Sequence, residues 1–141
     1  MKWITSLLAV MILSVWICQA APPDGGVGIK IKNSLKGGYA KELVSLFDKD
    51  IELVIDSEKV EFNKISISHA EQILKAFFKK HPPRDFQFVY QGAGATVRYS
   101  TGTYFTGTEA YLVYILLKKS GNQYLIGTIH FRKEQPPTAK R

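Results

Sequence analysis

The chain has 141 residues, 45% of them hydrophobic, and a formal charge of +7. That length suits one domain rather than two. Its one cysteine, Cys18, sits in the leader and excludes a disulfide framework or thiol chemistry in the remainder of the chain.

A basic surface suggests anionic neighbours such as nucleic acid, lipid head groups or acidic polysaccharide. The lysines, however, are scattered. Lys79-Lys80 and Lys118-Lys119 are isolated pairs, and Lys140-Arg141 sits on a tail. Solubility is the simpler account, and no nucleic-acid partner is expected.

Lys2 opens the chain with a positive charge, Ile4 to Ile17 is an almost unbroken apolar run, and Cys18-Gln19-Ala20 puts small residues at the last and third-last positions before a cut. This is the three-part pattern of a secretory signal peptide, with cleavage between Ala20 and Ala21. The run is shorter than the roughly 20 apolar residues of a membrane-spanning helix. A lipid anchor on Cys18 calls for a small residue before it, and Ile17 is not small. The expected organisation is a signal peptide over 1–20, a single domain over 21–135 and a disordered tail over 136–141. Removing Lys2 takes the charge from +7 to about +6. No second hydrophobic span is present, so the product is expected to be soluble and exported, in the periplasm or outside the cell.

Ala21 to Gly28 is rich in Pro and Gly and reads as a leader. Val27, Ile29 and Ile31 alternate with Gly28, Lys30 and Lys32, so periodicity alone allows a short strand. Gly37-Gly38 suits a helix end instead, and local reasoning leaves the segment open. Tyr39, Leu43, Val44 and Phe47 fall on one helical stripe, ended by Asp48-Lys-Asp50. Ile51–Ile55 reads as a short strand closed by Asp56-Ser57, and Val60–Ile67 as an ambiguous, partly extended piece.

The spacing predicts a helix over 70–80. Ser68 and Glu71 form a capping box. Ala70, Ile73, Leu74, Phe77 and Phe78 make the apolar stripe, and Gln72, Lys75 and Lys79 face water. His81-Pro82-Pro83 stops the helix. Four strand-like runs come next, Phe86–Gln91, Thr96–Phe105, Tyr111–Lys118 and Tyr124–Lys133. Their short glycine-containing links imply antiparallel hairpins. Gly102 suggests a bulge or bend. The Ala110–Leu117 run is apolar on both faces, which predicts an interior strand covered on both.

This order of elements is similar to the nuclear-transport-factor-2-like, or cystatin-like, α+β fold. The residues resemble one family within it, small exported bacterial proteins of undefined function. The resemblance is carried by Ala70-Glu-Gln-Ile-Leu-Lys-Ala-Phe-Phe-Lys-Lys-His-Pro-Pro83, by Phe88-Val-Tyr-Gln-Gly92, and by Tyr99, Gly102, Tyr104 and Gly107. It continues in Tyr111-Leu-Val-Tyr-Ile115, Tyr124-Leu-Ile126, Ile129 and Phe131. It implies that Val27–Lys36 is helical and that a strongly curved antiparallel sheet wraps N-terminal helices as an open cone. Relatives with this fold pair through the open sheet face, so a homodimer is compatible with the resemblance. It supplies no catalytic residues.

The cone of this fold often holds a small-molecule pocket, and relatives include isomerases and dehydratases. Such chemistry needs a buried carboxylate or histidine and an oxyanion donor. Glu52, Asp56, Asp85, Glu109 and Glu134 all fall at or near strand ends, where water keeps a carboxylate ordinary. His130 shares its face with Tyr124, Ile126, Thr128 and Arg132 by alternation, and is expected to face solvent or make a structural hydrogen bond, opposite Ile129 and Phe131. His69 precedes a helix, and His81 ends one, where the dipole suits it. The three histidines have no metal-ligand spacing.

Arg98 reads as a surface charge across strands rather than an anion site. Tyr90, Tyr99, Tyr104, Tyr111 and Tyr114 read as cross-strand aromatic packing; an exposed row of them would suit sugar or base rings. Gly92 and Gly94 precede no helix and are not a nucleotide loop. No residue is singled out as catalytic, and no cofactor or metal is implied. The expected function is an exported, non-catalytic domain binding a partner protein or ligand through the concave sheet. The alternatives are an isomerase-like or dehydratase-like enzyme using the cone, and a binder of anionic envelope polymer or nucleic acid.

Overall fold

The computed structural model of the chain describes residues 26–135. The expected signal segment 1–20, the cut between Ala20 and Ala21, and the tail 136–141 lie outside the described residues.

Helix α1 spans Val27–Gly37. Val27, Ile31, Ser34 and Leu35 fall on one buried stripe, which settles the segment as a helix. Gly38 comes after it in the left-handed conformation at φ 70°, and its N–H bonds the Ser34 carbonyl. Helix α2 is only Ala40–Val44, shorter than the Tyr39–Phe47 stripe predicts. Phe47 instead opens strand β1, Phe47–Ile55. Asp48-Lys-Asp50, expected to end a helix, lie inside this strand. The reason is tertiary: β1 lies beside the last strand, and Ile126 N–H donates to the Leu46 carbonyl.

A single 3-10 turn, Asp56–Glu58, leads into β2, Val60–Ser66. Helix α3 then spans Ile67–Lys80. Its N-cap is Ser66, not Ser68: Ser66 has extended φ/ψ, and its hydroxyl accepts the His69 N–H. Strands β3 (Asp85–Ala93), β4 (Val97–Phe105), β5 (Ala110–Ser120) and β6 (Gln123–Lys133) form the predicted meander, each pair antiparallel.

All the strands join one six-stranded sheet in the order β2-β1-β6-β5-β4-β3. The sheet is mixed rather than purely antiparallel, because β1 runs parallel to β6. Sequence-distant strands need no hairpin between them, so direction is free there. Gly102 is not itself bulged. The register slips on the facing strand between Phe88 and Tyr90. Gly102 instead makes room, since a Cβ there would sit 2.4 Å from Phe86 Cζ and 2.8 Å from the Gln87 carbonyl oxygen. A second slip, at Gly127 of β6, puts Ile126 on the same buried side as Ile129 and Phe131. Strict alternation would put Ile126 and Tyr124 on the face of His130.

The concave face is packed solid. Phe86, Tyr104, Tyr111, Val113, Ile115, Ile129 and Phe131 are inaccessible, and they share one core with Ile31, Leu35, Leu43, Leu74, Phe77 and Phe78 of the helices. Phe77 lies at the centre of an aromatic cluster, with its ring against Phe78, Tyr104, Tyr111 and Phe131. The outer face of β5 departs from expectation: no described element covers it. Leu112 and Leu116 are half-buried there, and Tyr114 is 36% exposed. Their row neighbours include Thr101, Thr103, Thr128 and Arg132, which make that face a mixed surface.

Candidate functional site

The fold brings its acid–base groups together where α3 ends against the β4–β5 turn. His81 sits just past the last turn of α3, and its Nε2 lies 2.8 Å from Glu58 Oε1. Its Nδ1 lies 3.3 Å from Glu109 Oε1 and 3.3 Å from the Tyr111 hydroxyl. The side chain is only 15% exposed. Each carboxylate also has a lysine: Lys80 Nζ donates to Glu58 Oε2 at 2.9 Å, and Lys133 Nζ lies 2.5 Å from Glu109 Oε2. The Tyr104 hydroxyl donates to the His81 carbonyl.

The electrostatics come from these pairs. Hydrogen bonds from Lys80 and His81 hold the Glu58 carboxyl below its ordinary value. Lys133 does the same for Glu109, which in turn holds the Lys133 ammonium above its ordinary value. Burial, with Tyr111 beside it, pushes the Tyr104 hydroxyl up. Both nitrogens of His81 already have carboxylate partners, so the cluster ties the 3-10 turn, α3, β5 and β6 together.

Beside the cluster lies an apolar trough of about 280 Å³, walled by Ile55, Val60, Ile73, Ala76 and Phe77 and edged by Glu58 and Lys80. Local sequence explains its shape. Ile73, Ala76, Phe77 and Lys80 are three and four apart and so form one ridge of α3. The short Ala76 leaves a gap in that ridge, and the 3-10 turn carries Glu58 to its end.

The other residues weighed from sequence fall elsewhere. His130 is on the outer face, its Nε2 2.5 Å from Glu52 Oε1 and its ring beside Tyr114. The His69 ring meets Phe62. Asp56 faces Arg132 at 3.7 Å, and Asp85 faces Lys36 at 3.9 Å. Hydrogen bonds from the Gln87 side chain and the Phe86 backbone hold the Asp85 carboxyl down. Glu134 is exposed and donates its backbone N–H to the Ala110 carbonyl.

Arg98 shares a row with buried Leu117 rather than the outer surface, and its guanidinium sits 4.8 Å over the Tyr124 ring. Its Nε is buried without a hydrogen-bond partner. Tyr90 and Tyr99 lie together on the outer face, whereas Tyr104 and Tyr111 are core.

Two larger clefts, of about 570 and 580 Å³, lie along Val27–Leu46 with the β5–β6 turn and along Phe105–Ala110 with Lys133–Gln135. Each reaches the end of the described residues. Among the described residues no group of acidic, histidine or cysteine side chains could hold a metal ion, and no helix is long and apolar enough to cross a membrane.

Sequence reasoning missed Glu58 and Lys80 as partners of His81 and set Glu109 aside. The β4–β5 register pairs Tyr104 with Tyr111 next to Glu109, and that much was readable from the hairpin. Nothing local placed this hairpin over the end of α3.

The family model described as a domain of unknown function, DUF4783, matches residues 29–132. No curated protein matches the chain in sequence. Among solved structures, a DUF4783 family protein from Bacteroides uniformis ATCC 8492 superposes with a TM-score of 0.71 at 23% identity, covering 78% of this chain and 99% of that one. A proposed ketosteroid isomerase from Parabacteroides distasonis ATCC 8503 gives 0.65 at 13% identity, covering 82% and 90%. A domain of unknown function with a cystatin-like fold from Nostoc punctiforme PCC 73102 gives 0.65 at 7%, covering 84% and 82%. The fold is therefore of the nuclear-transport-factor-2-like, cystatin-like α+β type.

Proposed function

From the premise that this chain belongs to the DUF4783 family, we propose an exported, non-catalytic binding domain that takes a small apolar molecule in the trough beside α3. The observation that carries this reading is the trough itself. Its walls are aliphatic or aromatic, while the cone interior is filled by the protein's own side chains. In this reading a ligand meets the domain at the trough and not within the hollow of the cone. A volume of about 280 Å³ lies just below the usual range for drug-sized ligands, which favours a small molecule. The apolar run Ile4–Ile17 and the small residues Cys18 and Ala20 after it support export with a cut between Ala20 and Ala21; the intact mass of the protein recovered outside the cytoplasm tests it, and retention of residues 1–20 would refute it.

The test of the site is a titration of labelled protein with 1-octanol, monitored by amide resonances. Shifts confined to Ile55, Val60, Ile73, Ala76 and Phe77, and abolished by Ala76→Phe, are expected. Ala76 is exposed, so the added ring fills the trough without entering the core. Shifts that Ala76→Phe leaves unchanged would refute the site.

One observation favours a second reading. Glu109 and the Tyr111 hydroxyl both lie within hydrogen-bond reach of His81 Nδ1 near the trough, and a protein of similar fold is described as a proposed ketosteroid isomerase. An isomerase would exchange a proton next to a ketone carbonyl, and that exchange would fall by orders of magnitude in Glu109→Gln. The saturation of both His81 nitrogens supports the non-catalytic reading over this one.

A further inference from the structure

We infer that the trough selects anionic amphiphiles, short acyl or aryl carboxylates whose apolar part lies along Ile73, Ala76 and Phe77 and whose carboxylate meets Lys80. This rests on the trough reading above and adds the chemistry of the head group. The ridge of α3 supplies the order. Ile73, Ala76 and Phe77 are apolar, and Lys80, one turn beyond Ala76, ends the ridge with a charge. An elongated molecule lying on that ridge places its end at the ammonium.

Lys80 has capacity to spare. Its Nζ gives one hydrogen to Glu58 Oε2, and an ammonium carries three. Its side chain is 65% exposed against 22% for Glu58, so a head group arriving from water meets the cation first. Both Glu58 oxygens are already engaged, by Lys80 and by His81, whose bonds hold that carboxyl down and compensate its charge. A cationic head would find Lys80 in its way. The charge of about +6 left once Lys2 is removed from the formal +7 adds a long-range attraction for anions.

The experiment compares octanoate, 1-octanol and octylamine, three probes with one tail length. Octanoate is expected to bind about fivefold more tightly than 1-octanol, the scale of one exposed charge pair. The difference should narrow as salt rises. Lys80→Gln should bring octanoate down to the level at which the same variant binds 1-octanol. Lys79→Gln, on the exposed side of the helix, should change neither.

Equal binding of all three probes, with loss of all three in Ala76→Phe, would overturn the head-group inference and leave the trough reading standing. Tighter binding of octylamine would overturn it in favour of Glu58 as the recognition group. No binding of any probe would overturn both.

Discussion

Replacing Phe77 by alanine tests the architecture at its centre. Phe77 is 3% exposed, and its ring touches those of Phe78, His81, Tyr104, Tyr111 and Phe131. A buried aromatic takes roughly 150–250 Å² out of water. At about 25 cal/mol per Å² that is roughly 4–6 kcal/mol for the whole side chain. The alanine methyl keeps a fraction, and the loss of ring contacts offsets part of that saving. The expected destabilisation is about 3–5 kcal/mol.

Domains of this size are stable by about 5–15 kcal/mol, so Phe77→Ala should leave a marginal fold. The assay is urea unfolding monitored by far-ultraviolet circular dichroism, with the midpoint compared at constant slope. Ala76→Phe, one residue away but on the exposed side, is the matched control and should not destabilise by more than about 0.5 kcal/mol. A loss below about 1 kcal/mol for Phe77→Ala would mean that the ring is not in the core, and the packing of α3 on the concave sheet would be wrong.

Gly102→Ala should destabilise by about 1–3 kcal/mol, because its Cβ would meet both the Phe86 ring and a backbone oxygen; an unchanged melting temperature would exclude that close approach. Ser66→Ala should cost about 1 kcal/mol through loss of the cap on α3, whereas Ser68→Ala should have little effect; the reverse order in urea unfolding would restore Ser68 as the cap. Glu58 and Glu109 are held below their ordinary value of 4.5. A depressed carboxyl contributes stability that is present above the unfolded value and lost as pH falls through the folded one. The unfolding midpoint should therefore fall as pH drops below about 4.5, and less steeply in a Glu58→Gln, Glu109→Gln double variant; parallel acid limbs would sink the ion-pair account.

Much of the fold is legible wherever a local pattern carries its own physical cause. The apolar stripe of α3, its stop at His81-Pro82-Pro83, and the glycine-linked hairpins all depend on near neighbours, so they read directly from the chain. The capping serine is misplaced by sequence because Ser66 and Ser68 are chemically alike, and only backbone geometry distinguishes them. The spacing of Phe47 from Leu43 and Val44 is helical, yet pairing with β6 claims it for a strand. The faces of Tyr124 and Ile126 are misread because a bulge at Gly127 shifts the alternation by one, and a glycine does not announce which strand of a pair will slip.

The candidate site is less legible. His81 and Glu109 each have a local explanation, a helix end and a strand end. Their meeting with Glu58, Lys80, Tyr111 and Lys133 joins segments far apart in sequence, and no periodicity encodes such a meeting.

Sequence alone determined the class of α3 and of the last four strands, the hairpin order and the burial of Phe77 and Phe78, because hydrophobic spacing and turn chemistry act over a few residues. Only the tertiary structure decided that β1 lies parallel to β6, that the cone is filled, and that a histidine set between two carboxylates stands beside an apolar trough. Those outcomes depend on which distant segments share space, and that is settled by packing the whole chain at once.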